Sequence, residues 1–188
     1  MRLQEHYRLI TDFEADFVQT LRSGALRTQS RGQGRVYVKK PGRMKWVYEK
    51  PERSEMTWDG QKFTLYYPDS KEATVNDVSA EDQSSASLLF LAGKGDLVRD
   101  FIPMSAESTV AGAVALRLTP RKAEPDFDYF VVTFDEKTLK LRKLVTRNNL
   151  GDETTTDFNN LKENSGIPDR TFVFAPPKGV QINGGRGR

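Results

Sequence analysis

A chain of 188 residues is long enough for one domain with a sizeable core. Charged residues make up 29% and hydrophobic ones 37%, and 29 basic against 26 acidic side chains leave a formal charge of only +3. So small an excess makes no electrostatic case for a nucleic-acid partner, and the absence of cysteine excludes disulfides, thiol catalysis, Cys-ligated metals and a lipidated N-terminal Cys in this chain.

No apolar run reaches the length of a membrane span, and no signal-peptide core follows Met1. Met1 therefore fits either a native start or the start left by a removed signal. Leu3, Tyr7 and Ile10 recur at helical spacing and predict a helix over residues 1–11. His6 is the single histidine; with no His or Cys partner it is read as structural.

From Phe13 the period changes to two. Phe13, Ala15, Phe17 and Leu21 alternate with Glu14, Asp16 and Thr20, the pattern of a half-buried strand. The alternation accounts for the two carboxylates without acid–base chemistry. A second long strand, residues 27–39, runs through Gly32-Gln-Gly34. A GxG without a third glycine and a following helix is no phosphate cradle; in a strand it marks a bulge or a close backbone approach.

Pro41-Gly42 then predicts a type II turn, with Gly42 at positive φ. On its two arms Val36 and Val38, then Met44, Trp46 and Tyr48, form a large apolar face. By parity Lys40 belongs to that face, a cation at the lip of an apolar surface. Asp59-Gly60 is a strong hairpin signal between Met56/Trp58 and the alternating Phe63, Leu65, Tyr67. Pro68-Asp69 turns the chain again into a strand over 73–75. Strands at this spacing predict an antiparallel meander.

The meander is interrupted by residues 77–100. Ser84 or Ser85 caps a helix through Leu88, Leu89, Phe90 and Leu91 that stops at Gly93, and a second short helix is expected over 96–100. The first is apolar on nearly every side and has to be covered. Strands then resume over 101–105, 114–119, 129–134, 141–147 and 153–161, with a last short one at 172–174 before Pro176-Pro177. Residues 183–188 are expected to be a disordered or tag-like tail, leaving 1–182 as a single domain. No catalytic set, metal cluster or phosphate loop emerges, so neither an enzyme nor a cofactor is expected.

Taken in order, these pieces resemble the LolA family of periplasmic lipoprotein carriers. The resemblance runs through Phe13-Glu-Ala-Asp-Phe-Val-Gln19, Gly34-Arg-Val-Tyr-Val-Lys-Lys-Pro41, Met44-Lys-Trp46, Pro51 and Asp59-Gly60. It continues with Tyr67-Pro-Asp69, Leu88-Leu-Phe-Leu91 and Phe172-Val-Phe-Ala-Pro-Pro-Lys-Gly-Val180. It implies a mainly β fold with short helices: an unclosed, strongly curved antiparallel half-barrel of about 10–11 strands, with a helical lid over an apolar cavity. It also implies a carrier, expected as a monomer in the periplasm, that takes acylated lipoproteins from an inner-membrane ABC transporter to an outer-membrane receptor lipoprotein. The other reading is a relative of the same fold that binds another lipid or glycolipid, or senses lipoproteins.

On that fold the cavity lining is expected from Phe17, Val36, Val38, Met44, Trp46, Met56, Trp58, Phe63 and Leu65, roofed by Leu88, Leu89, Phe90 and Leu91. Family members usually carry Arg where this chain has Lys40, the expected lid latch; a point donor replaces a planar fork. Met44 stands where the family usually has an aromatic, and a flexible thioether suits a surface that repacks around acyl chains. Lys39, Arg43 and Lys45, clustered at the Pro-Gly hairpin, are the expected partner-docking rim.

Overall fold

In the computed structural model the alternating segments form one twelve-stranded sheet. The structure describes residues 2–77, 91, 96, 98–122, 127–148 and 150–185. Helix α1 (Arg2–Leu9) precedes β1 (Asp12–Arg22), β2 (Gln29–Lys39), β3 (Arg43–Lys50), β4 (Ser54–Trp58), β5 (Lys62–Tyr67) and β6 (Glu72–Asp77). After residues 78–100 come β7 (Phe101–Ala106), β8 (Ala113–Pro120), β9 (Phe127–Asp135), β10 (Leu141–Asn148), β11 (Glu153–Glu163) and β12 (Gln181–Gly185). The spatial order is β12-β6-β5-β4-β3-β2-β1-β11-β10-β9-β8-β7. Every neighbour pair is antiparallel except β12 on β6.

The sheet is open, because β12 and β7 end the order and do not pair. It curls because apolar side chains of one parity, from Trp58 on β4 round to Leu118 on β8, are buried in one common cluster. Within that cluster Phe17, Val36, Val38, Leu118, Phe130, Val132 and Phe158 are at most 2% exposed. The chain direction places α1 and the β2–β3 turn at one end of the strands. The β1–β2, β3–β4, β5–β6 and β10–β11 connections lie at the other.

Glycine in β2 does what its position in a strand suggests. The register of β2 on β3 shifts between Gln33 and Gly34. A Cβ on Gly34 would overlap the Val47 carbonyl oxygen and lie 2.8 Å from the carbonyl carbon, so only glycine fits there. The Pro-Gly turn has Gly42 at φ 76° as expected, but Lys40–Pro41 is cis and three residues separate the paired Lys39 and Arg43, so it is not a type II turn.

Four further expectations are corrected. Leu21 is 43% exposed, because it lies past the covered part of β1. Residues 172–174 form no strand; a 3-10 turn, Asp169–Phe172, buries Phe172, and Phe174 packs on Tyr66 at 5.3 Å, so side-chain burial and not pairing explains the alternation. The tail expected from residue 183 is strand as far as Gly185, since a parallel backbone ladder on the β6 edge needs no apolar pattern. Around Asp96 there is a single turn: Asp96 Oδ1 accepts from the Val98 and Arg99 N–H groups, and the Asp100 N–H bonds to the Asp96 carbonyl. Of the helix expected over 84–92 only Leu91 lies among the described residues, and it is helical and 1% exposed.

Candidate lipid-binding site

Strand pairing assembles the concave face from residues distant in sequence. Val36 lies opposite Trp46, Val38 opposite Met44, Trp46 opposite Met56, and Phe17 opposite Phe158. Phe17 is the hub: its ring meets Trp46 at 4.8 Å and Tyr48 at 4.9 Å, both edge-on, the arrangement that the ring quadrupoles favour. Trp46 reaches on to Phe158 at 6.3 Å, and at the far flank Phe101 and Phe130 pair edge-on at 5.1 Å. Toward the β1–β2 loop the apolar floor ends in a polar belt. The Tyr48 hydroxyl donates to Gln19 Oε1 at 2.9 Å, and Gln19 Nε2 donates to Thr156 Oγ1 at 3.2 Å. Burial raises the Tyr48 phenol pKa, against the lowering effect of its bond to Gln19.

At the opposite end α1 lies over the floor. Leu3 and Tyr7 are buried in the main cluster with Phe13, Phe134 and Leu141. Between them is a cavity of about 20 Å³, lined also by Lys40, His6, Leu91 and Glu163. That space suits a water-sized guest and is far too small for an acyl chain. Lys40 Nζ donates to the Tyr7 carbonyl oxygen at 2.5 Å and stands 3.3 Å from the centroid of the Tyr7 ring. The accepting carbonyl is in the last turn of α1, where the helix dipole favours a cation. Burial pushes the Lys40 ammonium down to about 8, against the opposing charge of Glu163. Glu163 Oε1 is 3.2 Å from His6 Nε2.

The structure brings together most of the expected lining. Phe17, Val36, Val38, Met44, Trp46, Trp58 and Leu91 share the buried cluster, and Met56 packs against it. Phe63 and Leu65 face the same way, opposite Trp58 and Met56, but are only half-buried and stand outside the cluster. Leu88, Leu89 and Phe90 lie outside the described residues. The cations of the expected docking rim are placed on the convex face and engaged there. Asp169 holds Lys39 at 2.6 Å and Arg43 at 2.7 Å, and Lys45 is paired with Glu55 at 2.8 Å. The bonds from Lys39 and Arg43 lower the Asp169 pKa. Lys39 also donates to the Ile167 carbonyl at 2.7 Å.

The far half of the floor, Phe101, Leu118, Phe130, Val132, Leu144 and Phe158, is absent from the lining read from the sequence. Its alternation is visible there, but which parity faces inward depends on the β1–β11 pairing.

An open, curled sheet with one continuous apolar concave face and a helix over one end defines an unclosed half-barrel. The chain belongs to the LolA family: residues 8–175 match the family described as "Outer membrane lipoprotein carrier protein LolA". It is 28% identical over 170 residues to an outer-membrane lipoprotein carrier protein of Nitrosospira multiformis, covering 89% of this chain and 80% of the relative. A protein of the same description from Ralstonia nicotianae is 29% identical over 179 residues, covering 92% and 81%. An uncharacterized conserved protein of Thermus thermophilus shares the fold, with a TM-score of 0.59 at 13% identity over 97% of this chain and 95% of that one.

Proposed function

We propose that this protein is a periplasmic carrier that holds the acyl chains of lipoproteins against its concave face. In this reading it takes them from an inner-membrane ABC transporter and delivers them to an outer-membrane receptor lipoprotein. The observation that carries the proposal is the continuous apolar floor from Trp58 to Leu118, closed at one end by α1. Apolar surface on that scale has to be covered, by parts of the chain when empty or by a ligand when loaded.

Magnitudes limit how the cargo is held. Each buried acyl methylene contributes about 0.8 kcal/mol, so a fully enclosed triacyl group would be held by tens of kcal/mol and not released. Partial burial, against a closed empty state that competes with cargo, brings the affinity into a working range. Lys40 suits such a balance. Its contacts with Tyr7 favour α1 on the sheet, while burial of its charge opposes the same contact. Binding by burial needs no cofactor.

Mass spectrometry of the protein released gently from periplasmic extracts tests the reading. Acylated protein bound in stoichiometric amount is the expected result. Free phospholipid or glycolipid alone would assign the concave face to another cargo, and protein empty in every preparation would refute the carrier.

A further inference from the structure

The strand end opposite α1 carries apolar groups that the floor does not use. Leu26 in the β1–β2 connection is 76% exposed, and Leu150 in the β10–β11 connection is 80% exposed. The two connections are neighbours because β1 pairs with β11, with Arg22 opposite Glu153. They also touch: the Gly24 N–H donates to Asp152 Oδ1 at 3.0 Å, and a Cβ on Gly24 would come within 2.7 Å of the Gly151 carbonyl oxygen.

Each tip is braced from within. Ser23 N–H bonds to the Thr28 carbonyl at 3.0 Å, and Leu26 N–H to Ser23 Oγ at 3.3 Å. On the other tip Asn148 Oδ1 accepts from the Leu150 and Asp152 N–H groups at 3.0 and 2.8 Å. The leucines are thus held outward at the ends of short, tied loops, where hydrophobic collapse would otherwise fold them in. Around them Arg22, Arg27, Arg31 and Arg147 are all exposed, and none makes an ion pair among the described residues. The acidic groups at the same tip are Asp152, occupied by the Gly24 N–H and Asn148, and Glu153 between Arg22 and Arg147.

We infer that the paired β1–β2 and β10–β11 tips form a contact site for an anionic phospholipid surface, Leu26 and Leu150 entering the interface and the four arginines meeting lipid phosphates. The occupant follows from the chemistry. Two separate leucines on loop tips offer no groove for a peptide, but they suit a soft apolar layer, and the arginine collar complements anionic headgroups. Reversible contact of this kind would orient the half-barrel end-on to a membrane without spanning it. The inference stands apart from the carrier reading, since it needs no lipoprotein.

Vesicle flotation of the full chain tests it, with phosphatidylethanolamine–phosphatidylglycerol vesicles against phosphatidylcholine vesicles. The wild-type protein is expected to float with the anionic vesicles, less so as salt screens the arginines. Leu26→Ser with Leu150→Ser should lower partitioning about tenfold or more, and Arg27→Gln with Arg147→Gln should lower it roughly fivefold per arginine and flatten the salt dependence. All four positions are exposed, so unchanged thermal unfolding controls for folding. Wild-type protein that floats with neither vesicle, or leucine variants that float as well as wild type, would overturn the inference. So would binding seen only when vesicles carry a membrane protein, which would assign the tips to a protein partner. Binding of an apolar probe to the concave face should be the same in all variants, which separates this outcome from failure of the carrier reading.

Discussion

Gly34→Ala is the substitution for which the fold makes the firmest demand. Its Cβ would occupy the Val47 carbonyl oxygen, with the carbonyl carbon 2.8 Å and Tyr48 Cα 3.0 Å away. All three are backbone atoms in the paired strand, so no rotamer change relieves them. Overpacking against immovable atoms costs about 1–3 kcal/mol or somewhat more, and replacing glycine returns about 0.4–1 kcal/mol through the unfolded chain. With the clash taken at about 3 kcal/mol, a net loss of about 2–2.6 kcal/mol is expected, which at about 2–4 °C per kcal/mol lowers Tm by about 4–10 °C. Gly32→Ala is the control. Its Cβ would meet Tyr48 ring carbons at 3.2 Å and the Lys50 carbonyl oxygen at an ordinary 3.5 Å, and the tight contact is with a side chain that can yield, so a change within about 1 kcal/mol is expected. The same seam carries the Val36–Trp46 and Val38–Met44 pairs, so forcing β2 from β3 should also weaken binding of an apolar fluorescent probe. Urea and thermal unfolding of both variants decide the matter. If Gly34→Ala is as stable as Gly32→Ala, the close approach of β2 to Val47 is wrong.

Phe17→Ala removes the hub between Trp46 and Tyr48 and should cost about 3–5 kcal/mol in urea unfolding; Trp46→Ala, at the same seam, should weaken the apolar probe in the folded fraction. Tyr48→Phe deletes the bond to Gln19 Oε1 and should cost about 1 kcal/mol, read in the same assay. Lys40→Met keeps the aliphatic stem but removes the charge. Because the folded-state pKa of about 8 lies below the usual lysine value of 10.5, the cost of burying the cation is present in full below pH 8 and fades as pH rises toward 10.5. The variant should therefore be at least as stable as the parent at pH 7, with the parent gaining on it between pH 8 and 10.5, and it should bind the apolar probe more weakly because α1 closes more readily. A variant less stable at pH 7 that binds the probe more tightly would mean that the Tyr7 contacts outweigh the burial of the charge.

Much of this molecule was legible one residue at a time. Period-two alternation reports which residues share a face, because successive side chains on a strand point to opposite sides. For that reason β1 to β5 and the near half of the floor, Phe17 to Trp58, could be read directly. The glycine pair in β2 and the hairpin at Asp59-Gly60 follow likewise from local sterics. Lys40 at the lip of the apolar face was visible by parity, but its partner was not: the Tyr7 carbonyl lies 33 residues away and is brought there by α1 packing over the floor. The cations at the Pro-Gly hairpin show the same limit. Charge at a turn can be read from sequence, whereas the carboxylate that neutralises Lys39 and Arg43, Asp169, arrives from the far end of the chain. The β1–β11 pairing decided which parity of the C-terminal strands faces inward. Edge pairing likewise decided that Gln181–Gly185 is a strand, since a backbone ladder leaves no signature in side chains. Local chemistry set the elements and their faces; contacts distant in sequence set what each face meets.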